Sequence, residues 1–216
     1  HKNADGSDIY AEVYLPALRV KIMTPTARDP LASPNQVMPV CVEALQNQEI
    51  SLYLGDQPLT TVSASSLAYP LVLQGMAPGS YWVKAVATGN TGQARDSVNI
   101  YLRGPVAVAP LPTGVHGGIN YIDETTVTLV LEDPAGKKSF AFAIGEFSNW
   151  LPNDAGYMKR TPDGKAYWVT LSGLTKKKEY AYQYYVDGKL KLADPYADKV
   201  LDPWSDKWIP KSNYPD

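Results

Sequence analysis

The sequence predicts an all-β protein built from two tandem β-sandwiches. Short runs of alternating apolar and polar residues recur along the chain, and no stretch sustains the 3.6-residue period of a helix. Glycine-containing turns separate consecutive runs, as β-hairpins require. A segment rich in proline and glycine divides the runs into two groups, so we expect two domains rather than one.

The first group of runs lies within residues 13–103. Its apolar or alternating runs are residues 18–23, 37–45, 50–54, 67–74, 81–87 and 97–102. Residues 55–58 and 88–93 carry the glycines of two hairpin turns. Short strands at this spacing are typical of a sandwich. Residues 78–87, with the glycine-containing hairpin that follows them, resemble the last two strands of bacterial immunoglobulin-like modules. We therefore expect an immunoglobulin-like domain over 13–103, preceded by a polar, flexible N-terminus over 1–12.

The second group of runs follows a Pro/Gly linker, which we place at residues 104–116. That segment has three prolines and two glycines, a composition that favours extended structure. Alternation then returns between residues 117 and 210. Asp187-Gly188 predicts a tight turn between two strands. The strand runs of this half are residues 125–131, 139–144, 167–171, 179–186 and 189–192.

Composition excludes several classes of protein. Lys and Arg number 20 against 22 Asp and Glu, for a formal charge of −2, so the chain is not a polybasic nucleic-acid binder. No apolar run approaches the roughly 18 residues of a membrane helix, so we expect no membrane insertion. No signal peptide is visible in the polar residues 1–8, so we expect that any targeting segment has been removed or was never included.

Metal and cofactor chemistry is not expected. The single cysteine, Cys41, excludes an internal disulfide and a thiolate metal cluster, and His1 and His116 are the two histidines. No nucleophile–base or metal constellation is recognisable, so we expect the chain itself to be noncatalytic. Aspartates recur every fourth position in the tail, but prolines interrupt a helix there and no calcium loop is present. These aspartates are Asp194, Asp198, Asp202 and Asp206.

Four motifs in the second half appear in a recognisable order and spacing. They are Gly-Glu-Phe-Ser-Asn-Trp at 145–150, Met-Lys-Arg-Thr-Pro-Asp-Gly at 158–164, Tyr-Trp-Val-Thr-Leu at 167–171 and Tyr-Gln-Tyr-Tyr-Val-Asp-Gly at 182–188. Together they resemble carbohydrate-binding module family 48. This family is the early-set sandwich ahead of the catalytic barrel in α-glucan-active enzymes of glycoside hydrolase family 13. The resemblance covers 117–210 and implies an early-set sandwich there.

The tail at 193–208 resembles the segment that joins such a module to the barrel in Bacteroidetes-type secreted α-amylases. The resemblance implies secretion or a cell-surface location, and a catalytic domain of the same protein as a partner. We expect residues 211–216 to begin the connection to this barrel, and Trp204 and Trp208 to dock on it. The barrel's catalytic motifs are not found in this sequence.

The resemblance also indicates residues for binding starch, glycogen or maltooligosaccharides. An α-glucan offers apolar ring faces and hydroxyls, so it is bound by aromatic platforms beside hydrogen-bonding groups. Trp150 resembles the family's first platform, and Asn149 and Gln183 supply hydrogen-bonding amides. Gln183 stands where glycogen-binding relatives often carry Lys. The family's second platform Trp falls just after residues 186–188, where this sequence has Leu190.

Two further aromatic residues are candidates on strand alternation alone. Tyr185 lies on the same face as Gln183, and Trp168 lies on the face opposite Tyr167. Trp168 is interpreted either as an exposed platform or as a side chain that packs against the second sheet. Trp150 is interpreted either as a platform or as a side chain that packs against the linker or the barrel. Tyr180, Tyr182 and Tyr184 share a face and are interpreted as core, with hydroxyls reaching the rim.

Three functions stay open from the sequence. The first is an accessory region that orients a catalytic barrel and binds starch-like glucans weakly. The second is a purely structural or oligomerisation role, which Leu190 favours. The third is a surface protein-binding tandem, which the immunoglobulin-like half and the abundance of tyrosine favour.

Overall fold

The computed structural model describes residues 17–197, 199, 200 and 208, and this part of the protein is all-β, as predicted. Its helical structure consists of two single 3-10 turns, Glu146–Ser148 and Asp154–Gly156. The strands are β1 Arg19–Thr24, β2 Leu31–Ala32, β3 Val37–Leu45, β4 Glu49–Leu54, β5 Gln57–Val62, β6 Ser66–Val72, β7 Gly79–Gly89, β8 Gly92–Leu102, β9 Gly118–Asp123, β10 Thr126–Glu132, β11 Ala141–Gly145, β12 Lys159–Arg160, β13 Ala166–Leu171, β14 Tyr182–Val186 and β15 Leu190–Leu192.

The described chain divides into two compact units. The first comprises residues 17–24, Pro39–Pro70 and Trp82–Val98. The second comprises Pro25–Met38, Leu71–Tyr81 and the chain from Asn99 onward. This grouping does not follow the predicted division at residue 104, because short stretches of the first half pack within the second unit. The domain boundaries given above stay predictions.

The first half of the chain forms two sheets, with strand orders β1-β3-β6 and β2-β8-β7-β4-β5. Side chains alternate between buried and exposed along β3 and β7, as strand geometry requires when one face covers a core. The predicted hairpin at 55–58 is confirmed, with Gly55 at a φ of 61° between paired β4 and β5. The buried residues of the first unit include Val40, Val42, Ala44, Ile50, Leu52, Val83, Ala85 and Ala87.

The second unit contains a second sandwich. Its sheets have the strand orders β12-β13-β10-β9 and β11-β14-β15, and their pairings are antiparallel. Asp187 and Gly188 both have positive φ and form the predicted tight turn between β14 and β15. Both sheets contribute to one core, which comprises Leu129, Leu131, Ala141, Ala143, Met158, Tyr167, Val169, Leu171, Tyr184 and Val186.

The segment predicted as a linker lies against this second sandwich. The Ala109 N–H donates to the Arg160 carbonyl at 3.0 Å, and the Arg160 N–H donates to the Ala107 carbonyl at 2.8 Å. Leu111 and Val115 pack beside Ala109 on the outer side of the β10–β13 pair. The backbone of the segment forms an isolated bridge from Val108 to Arg160, and its apolar side chains give it a packing partner.

Candidate functional site

A compact turn follows β11 and carries the first predicted platform. Ser148 caps the turn, because its hydroxyl donates to the Gly145 carbonyl and accepts from the Gly145 N–H. Asn149 and Trp150 then adopt left-handed conformations, with φ of 51° and 61°. The Trp150 N–H donates to the Gly145 carbonyl at 2.9 Å, which fixes the direction of the chain there.

Gly145 is required by close packing beneath this turn. A Cβ at this position would lie 2.4 Å from the Ala181 carbonyl oxygen, closer than side chains and backbone approach. The Glu146 N–H donates to the same oxygen at 3.1 Å. Glycine therefore allows the turn to lie directly against the chain that enters β14.

A groove of about 760 Å³ opens beside this turn in the second sandwich. Trp150 and Phe147 line it from the turn, and Gln183 lines it from β14. Tyr180 and Tyr182 line it from the chain entering β14 and from β14 itself. Apolar residues of β9, β10 and β13 form further parts of its wall, namely Ile119, Val127, Leu129 and Leu171.

The tyrosines of the groove are held by hydrogen bonds. The Tyr182 hydroxyl donates to Asp194 Oδ2 at 2.6 Å, and burial followed by this hydrogen bond raises the pKa of Tyr182. The Tyr180 hydroxyl accepts from the Thr175 N–H at 2.8 Å, and hydrogen bonding to Thr175 lowers the pKa of Tyr180. Both rings are half-buried, so they present partial faces to the groove.

Ion pairs occupy the rim of the groove. Lys178 Nζ lies 3.1 Å from Glu146 Oε2, and Lys199 Nζ lies 2.7 Å from Glu179 Oε1. Lys176 pairs with Glu124 in the same region. Solvent-exposed pairs of this kind add little stability, but each cancels a charge that faces the groove.

The structure places some of the predicted binding residues on the groove. Trp150 and Gln183 line it, with Trp150 half-buried rather than fully exposed. Asn149 is exposed at the end of the same turn. A binding role for these three residues stays a prediction.

Tyr185 lies in a different place from Gln183. Its ring is buried in an aromatic cluster with Phe140, Phe142 and Tyr101, on the face of β14 opposite Tyr184. Its hydroxyl donates to Asp29 Oδ1 at 3.1 Å and to the Gly188 carbonyl at 2.9 Å. A glucan on the surface therefore does not reach the Tyr185 ring, because only 6% of this residue is exposed and its hydroxyl already has partners.

Trp168 is also buried, with 7% of its surface exposed. The segment predicted as a linker covers it: the indole N–H donates to the Ala109 carbonyl at 3.1 Å, and Leu111 packs nearby. Lys159 Nζ lies 4.5 Å from the centre of the ring. One of the two interpretations of Trp168 was packing against the second sheet. The side chain does pack, but against the segment predicted as a linker rather than against a sheet.

The remaining predicted positions lie away from the groove or outside the described residues. Leu190 begins the edge strand β15 and is 57% exposed. Trp208 is 85% exposed, and Trp204 lies outside the described residues. Docking of both tryptophans on a catalytic barrel stays a prediction.

Two absences concern the described residues alone. Within them, no group of three or more His, Cys, Asp or Glu side chains is arranged to hold a metal ion. Likewise, no helix in this part of the chain has the length and apolar character needed to cross a membrane.

Sequence reasoning missed the role of the tyrosines that line the groove. Tyr180 and Tyr182 share a face with Tyr184, and this alternation predicted core positions for all of them. Tyr184 is fully buried, whereas Tyr182 and Tyr180 lie progressively nearer the end of the strand and line the groove. Position along the chain was the signal that could have separated these tyrosines. Tyr180 lies before β14 begins, and side chains beyond the end of a strand leave the core.

Comparison with known proteins gives weak structural similarities. No protein-family model matches the sequence, and no curated protein matches it. Fibronectin(III)-like modules of Clostridium thermocellum CbhA are similar to 39% of this chain over 95% of their own, at 14% identity and a TM-score of 0.32. Beta-glucuronidase 3 of Bacteroides uniformis is similar over 82% of this chain, at 9% identity and a TM-score of 0.33.

The pullulanase SAP of GBS, solved with maltotetraose, is also similar over 82% of this chain, at 13% identity and a TM-score of 0.33. The similarity spans 25% of the glucuronidase chain and 24% of the pullulanase chain. At TM-scores this low, none of these similarities supports a function for the chain.

Proposed function

We propose that this chain is a noncatalytic accessory region of an α-amylase-type glycoside hydrolase and that its second sandwich binds starch-like α-glucans in the groove. One observation carries the proposal: Trp150, Tyr180 and Tyr182 line one groove of the second sandwich. Gln183 of β14 also lines the groove. Aromatic faces stack on the apolar faces of glucose, and amides bond its hydroxyls.

The charge distribution around the groove supports a neutral ligand. Three lysines at the rim pair with glutamates, which reduces the charge that a ligand meets, and the groove is lined by further residues of both signs, Asp123 and Lys177. The volume of about 760 Å³ lies within the range of about 300–1,000 Å³ that is typical of small-molecule sites. A short stretch of an uncharged glucan satisfies both conditions.

The proposal also assigns the chain a place in a larger, secreted or cell-surface enzyme. The exposed indole of Trp208 and the neighbouring Trp204 would contact the catalytic barrel. The groove would then hold a glucan chain near that barrel. No cofactor takes part, because binding by stacking and hydrogen bonding requires none.

A purely structural role is the second candidate. Leu190 favours it, since this side chain is 57% exposed where the resemblance places a second aromatic platform. With one platform missing, the sandwich would serve only to support and orient the barrel.

Affinity electrophoresis of the full chain separates the two candidates. The native protein is run through gels that contain amylopectin, glycogen or no polysaccharide, with a galactomannan gel as the specificity control. Selective retardation by the α-glucans is expected. Trp150→Ala is expected to weaken it by about tenfold, because the platform is removed. Equal mobility of the native protein in all gels would contradict glucan binding and favour the structural role.

Leu151→Ala is the matched control. Leu151 is the next residue and is exposed, but it does not line the groove, so the retardation of this variant is expected to equal that of the native protein. Trp150→Phe retains a ring and is expected to have intermediate retardation. Thermal unfolding of each variant verifies that lost retardation reflects lost binding rather than a lost fold.

A further inference from the structure

The outer face of the five-stranded sheet carries an exposed tryptophan within the first unit. Val83, Ala85 and Ala87 of β7 point into the core and are fully buried. Because side chains alternate along a strand, Trp82 and Lys84 point to the opposite face. Half of the Trp82 surface is exposed there.

A tyrosine on the neighbouring strand lies on the same outer face. Tyr53 of β4 pairs directly with Lys84 of β7, and Trp82 lies two residues from Lys84. Trp82 and Tyr53 are therefore diagonal cross-strand neighbours, a spacing that aromatic side chains bridge. Pro58 of β5 pairs with Tyr53 from the other side and extends this surface.

Polar groups surround the two rings, and the two charged groups among them form an ion pair. Lys84 Nζ lies 2.9 Å from Asp56 Oδ1, so the cation nearest the rings is neutralised. The Ser51 and Thr61 hydroxyls lie 2.8 Å apart on the next row of the face. The face thus combines flat apolar rings with hydroxyl, carboxylate and ammonium groups that can exchange hydrogen bonds with a ligand.

We propose that this face, formed by Trp82, Tyr53, Lys84, Asp56, Ser51 and Thr61, is a second binding surface for a neutral polysaccharide. A sugar ring stacks on Trp82, its neighbour along the chain lies over Tyr53, and their hydroxyls bond the polar groups. A sheet surface is open and flat, so it accepts an extended chain along its length rather than the end of a chain. The inference does not depend on the groove of the second sandwich.

The composition of the face favours a polysaccharide over a protein partner. The centre of a protein–protein interface is depleted in charged residues and forms a contiguous apolar patch. Here an ion pair and a hydroxyl pair directly adjoin the rings. A protein partner would have to bury these polar groups against matching ones.

Affinity electrophoresis of the full chain tests the inference, with gels that contain barley β-glucan or amylopectin and a galactomannan gel as the control. Retardation in at least one gel is expected to weaken by about tenfold in Trp82→Ala and to persist in Trp82→Phe. Met23→Ala is the control, because Met23 is an exposed apolar residue of the first unit on β1, in the other sheet. This variant is expected to match the native protein in every gel.

Two results would overturn the inference. One is that Trp82→Ala and the native protein migrate alike in every gel. The other is that light scattering finds a smaller assembly for Trp82→Ala than for the native protein, which would make the face a contact between copies of the chain. If amylopectin alone retards the native protein, and Trp150→Ala abolishes this retardation while Trp82→Ala leaves it unchanged, the result counts against this surface and not against the groove. The reverse pattern would count against the groove alone.

Discussion

The Tyr182 hydroxyl, on the wall of the groove, donates a 2.6 Å hydrogen bond to Asp194 in the segment that follows β15. The same carboxylate accepts from the Tyr184 hydroxyl at 2.8 Å and from the Tyr196 N–H at 2.9 Å. Asp194 is 2% exposed, so these donors replace the water that a carboxylate otherwise binds. One side chain thus connects the groove, the core and the segment that leaves the sandwich.

Replacement of Asp194 by alanine is expected to destabilise the fold. Two tyrosine hydroxyls would lose their acceptor, and an unsatisfied buried polar group costs about 1–3 kcal/mol, so we expect a loss of about 2–4 kcal/mol. Urea denaturation measures the change. Glu179→Gln, which removes an exposed ion pair with Lys199, is the control and is expected to change stability by less than about 1 kcal/mol. Equal midpoints for Asp194→Ala and the native protein would contradict this role.

Alkaline pH is expected to destabilise the protein through Tyr184. Burial, followed by the influence of Tyr182 and the hydrogen bond to Asp194, raises the pKa of Tyr184 above its ordinary value. The folded state then retains a proton that the unfolded chain releases near pH 10, so the stability contribution is complete below about pH 10 and declines above it. Urea midpoints at pH 8 and pH 11 measure this decline. It is expected to be smaller in Tyr184→Phe, and an equal decline in both proteins would argue against Tyr184.

Absorbance of the phenolate during the same titration gives an independent measurement. Tyr180 is expected to ionise before Tyr182, because hydrogen bonding to Thr175 lowers the pKa of Tyr180 while burial raises that of Tyr182. Tyr180→Phe is expected to remove the first ionisation and to leave the later ones in place. Loss of a late ionisation instead would show that the two assignments are reversed.

Asp133 is expected to stabilise the protein at neutral but not at acid pH. Burial raises the pKa of this carboxyl, but hydrogen bonds from the Lys138 N–H at 2.8 Å and the Lys138 ammonium at 3.0 Å outweigh burial and hold it below its ordinary value. The stabilisation by Asp133 is therefore complete above about pH 3.9, the pKa of an aspartate in the unfolded chain. It is lost as the pH falls through the lower pKa that Asp133 has in the folded protein.

Asp133→Asn measures this contribution. The variant is expected to lose about 1.5–3 kcal/mol at pH 7, the range for hydrogen bonds to a charged group. Denaturation series from pH 7 down to about pH 2 should show the native protein and the variant converging below about pH 4. A constant difference across the series would assign the loss to packing rather than to the charge.

Trp168→Ala is expected to affect folding rather than glucan binding. The indole is buried beneath residues 109–115, and truncation of a buried aromatic side chain costs about 3–5 kcal/mol. Trp168→Phe keeps most of the packing and loses the hydrogen bond to Ala109, so a smaller loss is expected. The folded fraction of either variant is expected to be retarded by amylopectin as much as the native protein. Selective loss of this retardation would show that Trp168 is one of the binding residues.

The sequence alone determined much of the local structure. Alternating patterns located most of the strands but not β2, β5, β9 and β12. Gly55 and Asp187-Gly188 located hairpin turns, because a turn depends on residues that are adjacent in the chain. The same alternation separated the two faces of β14, with Tyr184 in one cluster and Tyr185 in another. Local patterns therefore predicted which residues share a face.

Only the tertiary structure decided what covers each face. Trp168 and Tyr185 both alternate like surface residues, yet the 109–115 segment covers one and an aromatic cluster that includes Tyr101 covers the other. Tyr182 was predicted as core with its hydroxyl at the rim. It packs against the core and also lines a groove, because its strand begins at the edge of the sandwich. Burial depends on residues distant in sequence that reach the same place, and alternation contains no information about them.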